Sequence, residues 1–191
     1  MEEIYVSTDV ESDGPIPGEY SMLNMGAAAF SETRGLLSTF AANLRPLEAA
    51  RQHPKTIAWR KSQPDAWAAV TRTPEDPHEV MEKFRSWLRG LGGKPVFVGY
   101  PSGFDFTFVY WYLMKFGDDS PFSFSAIDVK SFAMALLGTE FRKTVKRAFP
   151  RSWMSEHPHT HIGVDDAIEQ GETFMNMLAA RKGNAGAAES S

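Results

Sequence analysis

The chain has 191 residues and a hydrophobic fraction of 42%, which suits one domain of ordinary size with a proper core. Its net charge of −4 argues against coating duplex nucleic acid, which calls for a basic surface, and leaves binding in a local groove open. There is no cysteine, so disulfides and thiolate metal sites are excluded. No stretch is long and apolar enough to cross a bilayer, and the acidic start MEEIYV enters a strand directly, unlike a signal peptide; a cytoplasmic protein without membrane contact is expected.

Ile4–Gly14, reading IYVSTDVESDG, opens as a strand in which apolar residues alternate with others up to Val10. Tyr20–Phe30 reads as a second strand and, after the turn SETRG, Leu36–Leu44 as a third, giving an antiparallel meander. Short helices are expected around Ile57–Trp59 and Asp65–Val70. A clear amphipathic helix follows, with Val80, Phe84, Trp87, Leu88 and Leu91 at helical spacing. Pro95–Tyr100 reads as a short buried strand and Phe104–Phe116 as a helix dense in aromatics. Phe122–Asp128 reads as a strand and Val129–Leu137 as a helix. Phe141–Trp153 is basic and irregular, Val164–Arg181 is the last helix, and the small, polar 183–191 stretch is expected to be a disordered tail. The implied fold is α/β: a mixed five-stranded sheet flanked by helices, with the first strand central, in a single domain over residues 1–182.

Asp9 and Glu11 stand two apart on the first strand, so they project to one face at its end. Paired carboxylates repel unless protonated or neutralised, and hard oxygen donors suit Mg²⁺ or Mn²⁺; a solvated acidic strand end is the plain alternative. Asp105 follows the strand PVFVGY and opens a helix, where the dipole favours an acid in any case. His161 and Asp166 flank the start of the last helix. His157, His159 and His161 alternate along HPHTH, a spacing that also admits a cluster of imidazole ligands.

Taken in this order, D-x-E, a later Asp and H-x-x-x-x-D resemble the DEDD superfamily of 3′–5′ exonucleases, in the branch with a histidine five residues before the last Asp. The resemblance runs from about Ile4 to Arg181, and NLRPL, TIAW, PVFVGYPSGFDF and HTHIGVDDAIEQG resemble a small bacterial and phage group of 3′–5′ exoribonucleases most of all. It implies a ribonuclease H-like fold and two divalent ions, Mg²⁺ or Mn²⁺. Asp9 would bridge both ions, Glu11 and Asp166 would complete the first site, and Asp105 would support the second. His161 would be the general base and nucleoside 5′-monophosphates the products. The spacing favours Asp166 over Asp165. One departure stands out: where the family pattern has a second tryptophan, Trp59 is followed by Arg60.

On the substrate side, the resemblance implies that the loop after the carboxylates, with Ser12 and Ile16, holds the terminal 3′-OH and base. Phe104 is a candidate for base stacking, although most aromatics of its helix are more simply core. Arg142 and Lys143 lead a basic run that is either a solvated loop or an arm for the phosphates of the strand. The expected partner is a single-stranded 3′ end, RNA favoured over DNA, in RNA processing. Homodimerisation through Trp59 or Trp67 is a further expectation. The rival functions are a DNA exonuclease of proofreading or repair type with the same site, and a non-catalytic nucleic-acid-binding module. The full set of carboxylates argues against the second.

Overall fold

A computed structural model describes the backbone of residues 1–188 and the side chains through residue 182. β1 (Glu3–Ser12), β2 (Met22–Ser31) and β3 (Gly35–Asn43) form the expected antiparallel meander. β4 (Lys94–Gly99) runs parallel to β1 on its other side, and β5 (Ala126–Asp128) parallel to β4. The sheet order is therefore β3-β2-β1-β4-β5, with β1 at the centre. The helices are α1 (Pro54–Lys61), α2 (Pro64–Thr71), α3 (Pro77–Gly90), α4 (Ser102–Gly117), α5 (Val129–Leu137) and α6 (Gly163–Ala188).

Alternation along β1 divides the core into two layers. Ile4, Val6 and Val10 pack with Phe84 and Leu88 of α3 and with Phe108 and Tyr112 of α4. Tyr5 points the other way, with Ala28, Phe30 and Val98, toward Val129 and Ala133 of α5 and Phe174 and Met177 of α6. α6 runs antiparallel to β1 along this second face, and its successive turns meet successive odd residues of the strand. The Phe174 and Tyr5 rings meet edge to face at 5.3 Å, and Gln170 Nε2 donates to Ser7 Oγ at 2.8 Å. The N-terminal turn of α6 thus lies over the C-terminal end of β1.

α1 and α2 follow a different logic. α1 buries no residue and α2 only Val70, so polar links carry much of their attachment. Asn43 Nδ2 donates to Ala69 O at 2.8 Å and to Arg72 O at 2.7 Å, and the His53 amide donates to Asp13 O at 2.8 Å. This holds the pair beside the strand ends rather than on a face of the sheet.

Two elements differ from the sequence expectation. The strand read over Phe122–Asp128 shrinks to Ala126–Asp128. Pro121 lies in a turn, Ser123 adopts a φ of 60°, and Phe122 plugs the core against Phe97 at 5.3 Å instead of joining the sheet. The backbone of α6 continues to Ala188, past Arg181, and residues 189–191 of the expected tail lie outside the described residues. The basic segment is irregular as expected, holding three one-turn 3₁₀ pieces at Phe141–Lys143, Lys146–Ala148 and Arg151–Trp153. Among the described residues no helix is long and apolar enough to cross a membrane.

Candidate active site

Asp9 and Glu11 continue the odd face of β1 beyond Tyr5 and Ser7, so they emerge beneath the start of α6. Their register partners on β2 are Gly26 and Asn24, and the ladder shifts between Glu11 and Ser12. Such an irregularity re-aims a strand end, and here the strand ends one residue on, at Ser12, which pairs with Met22. Gly26 lets α6 come close. A Cβ on Gly26 would lie 2.0 Å from the Gly163 carbonyl carbon, and Gly163 N donates to Asn24 Oδ1 at 3.2 Å. Asp166, one turn into α6, is thereby brought to the strand end. Carboxylate oxygens of Asp9, Glu11 and Asp166 lie within 4.8 Å of one another.

Asp105 reaches the same place from α4. The start of that helix is tied to β5 by Ser102 N, which donates to Asp128 Oδ2 at 2.9 Å. Asp105 Oδ1 accepts from Val10 N at 3.2 Å, so the carboxyl lies against β1 beside Asp9 but outside the tight three-oxygen group.

Burial, then the charges of Asp105 and Asp166, push Asp9 well above the usual carboxylate range, with Arg60 and Lys146 pulling it back. Burial raises Asp105 to about 7, opposed by the Val10 amide. Two cations reach in. Arg60 pairs with Glu11, its Nε donating to Ser12 O at 3.2 Å, and Lys146 pairs with Glu169. Buried carboxylates gathered this closely, with Asp9 and Asp105 raised, are a donor set that fits a hard divalent ion, which would favour the charged forms.

The histidine segment lies against this cluster. His159 Nδ1 is 3.0 Å from Asp166 Oδ1, which also accepts from Thr160 N at 2.9 Å. His161, His159 and Asp166 offer ligand atoms within 4.8 Å of one another. The His161 ring meets Trp59 edge to face at 5.5 Å and His159 at 4.6 Å. Its φ of 59° is uncommon for a residue with a Cβ and sits in the turn that feeds Gly163. Asp165 faces away from the cluster, accepting from Thr160 Oγ1 at 2.8 Å and lying 3.6 Å from His157.

The expected substrate residues separate. Ser12 and Phe104 line one cleft of about 350 Å³ with Gly14, Lys55, Trp59 and Arg60. Within it the Ser12 hydroxyl donates to Gly14 O at 2.7 Å. Ile16 is exposed outside that lining. Arg142 and Lys143 stand elsewhere: Arg142 lines a hollow with Lys130, Glu140 and Phe141, and Lys143 pairs with Glu140 at 3.3 Å. Of the basic run it is Lys146 that turns inward. Trp59 and Trp67 line a small hollow with His161.

Sequence reasoning named Arg60 as a departure without seeing that it reaches Glu11. Its charge directly after an aromatic is the one signal the sequence offers. Gly26 was passed over, although a glycine inside a strand marks close approach of another backbone. His159 joins His161 at the cluster although both lie outside any strand, while His157, of the same sequence parity, lies by Asp165 instead.

No family model matches the chain. It is 30% identical over 190 residues to the 3′–5′ DNA exonuclease Cap18 of Escherichia coli, covering 94% of this chain and 95% of that protein. Among solved structures, the nuclease domain of 3′hExo bound to rAMP, described as a DEDDh family member, superposes with a TM-score of 0.70 at 14% identity, over 94% of this chain and 93% of that one. S. pombe Pop2p in its Mg²⁺- and Mn²⁺-bound form follows at a TM-score of 0.63 and 13% identity, over 91% and 82%. At such identities the solved structures speak for the fold, and the nearly full-length match to Cap18 speaks for the kinship. The chain belongs to the DEDDh family of metal-dependent 3′–5′ exonucleases with a ribonuclease H-like fold.

Proposed function

We propose that the protein removes nucleoside 5′-monophosphates one at a time from a single-stranded 3′ end, using Asp9, Glu11 and Asp166 as metal ligands, Asp105 as a supporting ligand and His161 as general base. The observation that carries this reading is the convergence of three carboxylates from β1 and α6 within 4.8 Å, with a histidine pair against them. Mg²⁺ or Mn²⁺, two ions to a site, would supply positive charge where phosphodiester hydrolysis gathers negative charge. Asp9 feels the charges of both Asp105 and Asp166, which suits it to serve both ions. His161 is the better base of the pair, because His159 is engaged by Asp166 at 3.0 Å, whereas the His161 ring makes no hydrogen bond or ion pair among the described residues and packs on Trp59 and His159. A neutral imidazole there accepts the proton of the attacking water near neutral pH. Ser12, Phe104 and Trp59 would receive the terminal nucleotide in the cleft beside Glu11.

For the sugar, the relative at 30% identity is named a DNA exonuclease, which favours DNA. RNA stands second, on the likeness of NLRPL, TIAW and HTHIGVDDAIEQG to exoribonucleases. Trp59 lines the cleft, and Trp59 and Trp67 both line the His161 hollow, which favours a role at the site over one in a homodimer.

The test uses matched 5′-labelled DNA and RNA oligonucleotides with Mg²⁺. A ladder that shrinks from the 3′ end, stops on chelation and is blocked by a 3′-phosphate is expected. Internal cuts appearing first would refute the exonuclease reading, and faster loss of RNA would reverse the order of the two sugars.

A further inference from the structure

Arg60 sits in the last turn of a helix that buries no residue, yet its own side chain is only 10% exposed. One of its Nη atoms meets Glu11 Oε2, its Nε donates to Ser12 O at 3.2 Å, and its guanidinium lies 5.2 Å from the centre of the Trp59 ring. Taking a guanidinium out of water is costly unless a partner compensates, and here the partner is a carboxylate proposed to hold metal. Glu11 is itself buried, so without Arg60 its charge would face Asp9 and Asp166 with little screening. A divalent ion taken up at Glu11 competes with the guanidinium for the same oxygens. The place for a displaced guanidinium is adjacent, because Arg60 also lines the cleft shared by Ser12, Lys55, Trp59 and Phe104. A planar fork of donors in such a cleft matches two phosphate oxygens, which a tryptophan at this position would not offer.

We propose that Arg60 is a built-in counter-ion for Glu11, that a divalent ion displaces it, and that the displaced guanidinium takes a backbone phosphate of the strand in the cleft. This rests on the reading of Asp9, Glu11 and Asp166 as metal ligands. Metal uptake then prepares the strand-binding surface as well as the chemistry. Binding of metal and of strand become coupled through one side chain, and by linkage each strengthens the other.

The test is calorimetric titration of Mn²⁺ into the full chain, as wild type, R60Q, E11Q and the double variant. R60Q should bind Mn²⁺ roughly tenfold or more tightly than wild type, the scale of a close charge pair. The gain should vanish in the E11Q background. A single-stranded DNA oligonucleotide with phosphorothioate linkages at its 3′ end then probes the grip. R60Q should weaken its binding by about tenfold with Mn²⁺ present and reduce the salt slope by about one. Without metal the same substitution should change its binding little. R60M, which keeps the stem over Trp59 and loses the charge, serves if R60Q does not fold. A wild type that takes up no Mn²⁺ overturns the ligand reading and this proposal with it. Equal Mn²⁺ affinity in wild type and the uncharged variants overturns the counter-ion role alone. Unchanged oligonucleotide affinity in Mn²⁺ overturns the grip.

Discussion

Replacing Gly26 with alanine tests how the site is assembled without touching any of the proposed ligands. The added Cβ would lie 2.0 Å from Gly163 C and Val164 N, whereas ordinary contact begins at 3.4 Å, so something must retreat by about 1.4 Å. β2 is fixed between β1 and β3, and the atoms it would meet are backbone, so the yielding part is the first turn of α6. Asp166 rides on that turn. The rest of α6 stays anchored through Gln170 on Ser7 and Phe174 on Tyr5, so the fold survives at a cost of about 1–3 kcal/mol, typical of overpacking. Metal sites tolerate ligand errors of about 0.2 Å, and a reacting group misplaced by about 1 Å loses on the order of 10² in rate. Gly26→Ala should therefore lower kcat by about 10²-fold or more and weaken Mn²⁺ binding by at least about tenfold, with a native circular dichroism spectrum. Turnover on a 5′-labelled oligonucleotide and calorimetry measure both. Gly90→Ala is the control, since a Cβ there meets nothing within 4 Å. Wild-type turnover and metal affinity in Gly26→Ala would refute the inference that this close approach positions Asp166.

Two further outcomes are expected. His161→Ala should cut kcat by about 10²–10⁴-fold with KM nearly unchanged, while His157→Ala keeps near-normal kcat; loss of turnover confined to His159→Ala would instead make His159 the base. The stability of the protein without divalent ions should fall as pH rises from about 4 to about 7. Burial lifts the native Asp105 to about 7 and Asp9 also upward, so through this window the native state binds more protons than the unfolded chain, and each proton lost is lost from the native state. Mg²⁺, which favours the ionised carboxylates, should remove most of the fall; a thermal midpoint that rises over the same window without metal would refute the assignment.

The fold was legible in the sequence because its signals are local and repeated. The meander shows as three runs bounded by turns, and the amphipathic face of α3 shows at helical spacing, so the central place of β1 follows from the order of elements. The misread strand shows the limit. Phe122 and Phe124 alternate as strand residues would, but Phe122 gains more by filling the space between Phe84 and Phe97 than by extending β5, and only tertiary packing decides that. Phe124, its partner in the apparent alternation, is left 84% exposed.

At the site, the sequence showed which groups carry negative charge but not what balances it. Asp9, Glu11, Asp105 and Asp166 are legible because each sits at a strand end or helix start in a recognisable order. Their counter-charges come from segments with no periodic signal: Arg60 from a helix held on by polar links, Lys146 from a run of short 3₁₀ turns. Within that run, Arg142, Lys143 and Lys146 look alike in sequence. The chain geometry turns Lys146 onto Glu169, where its charge is felt by Asp9, and leaves Lys143 paired with its neighbour Glu140. A buried carboxylate that stays ionised needs a cation beside it, and cations bound this way are also the ones a metal ion or a phosphate can later displace.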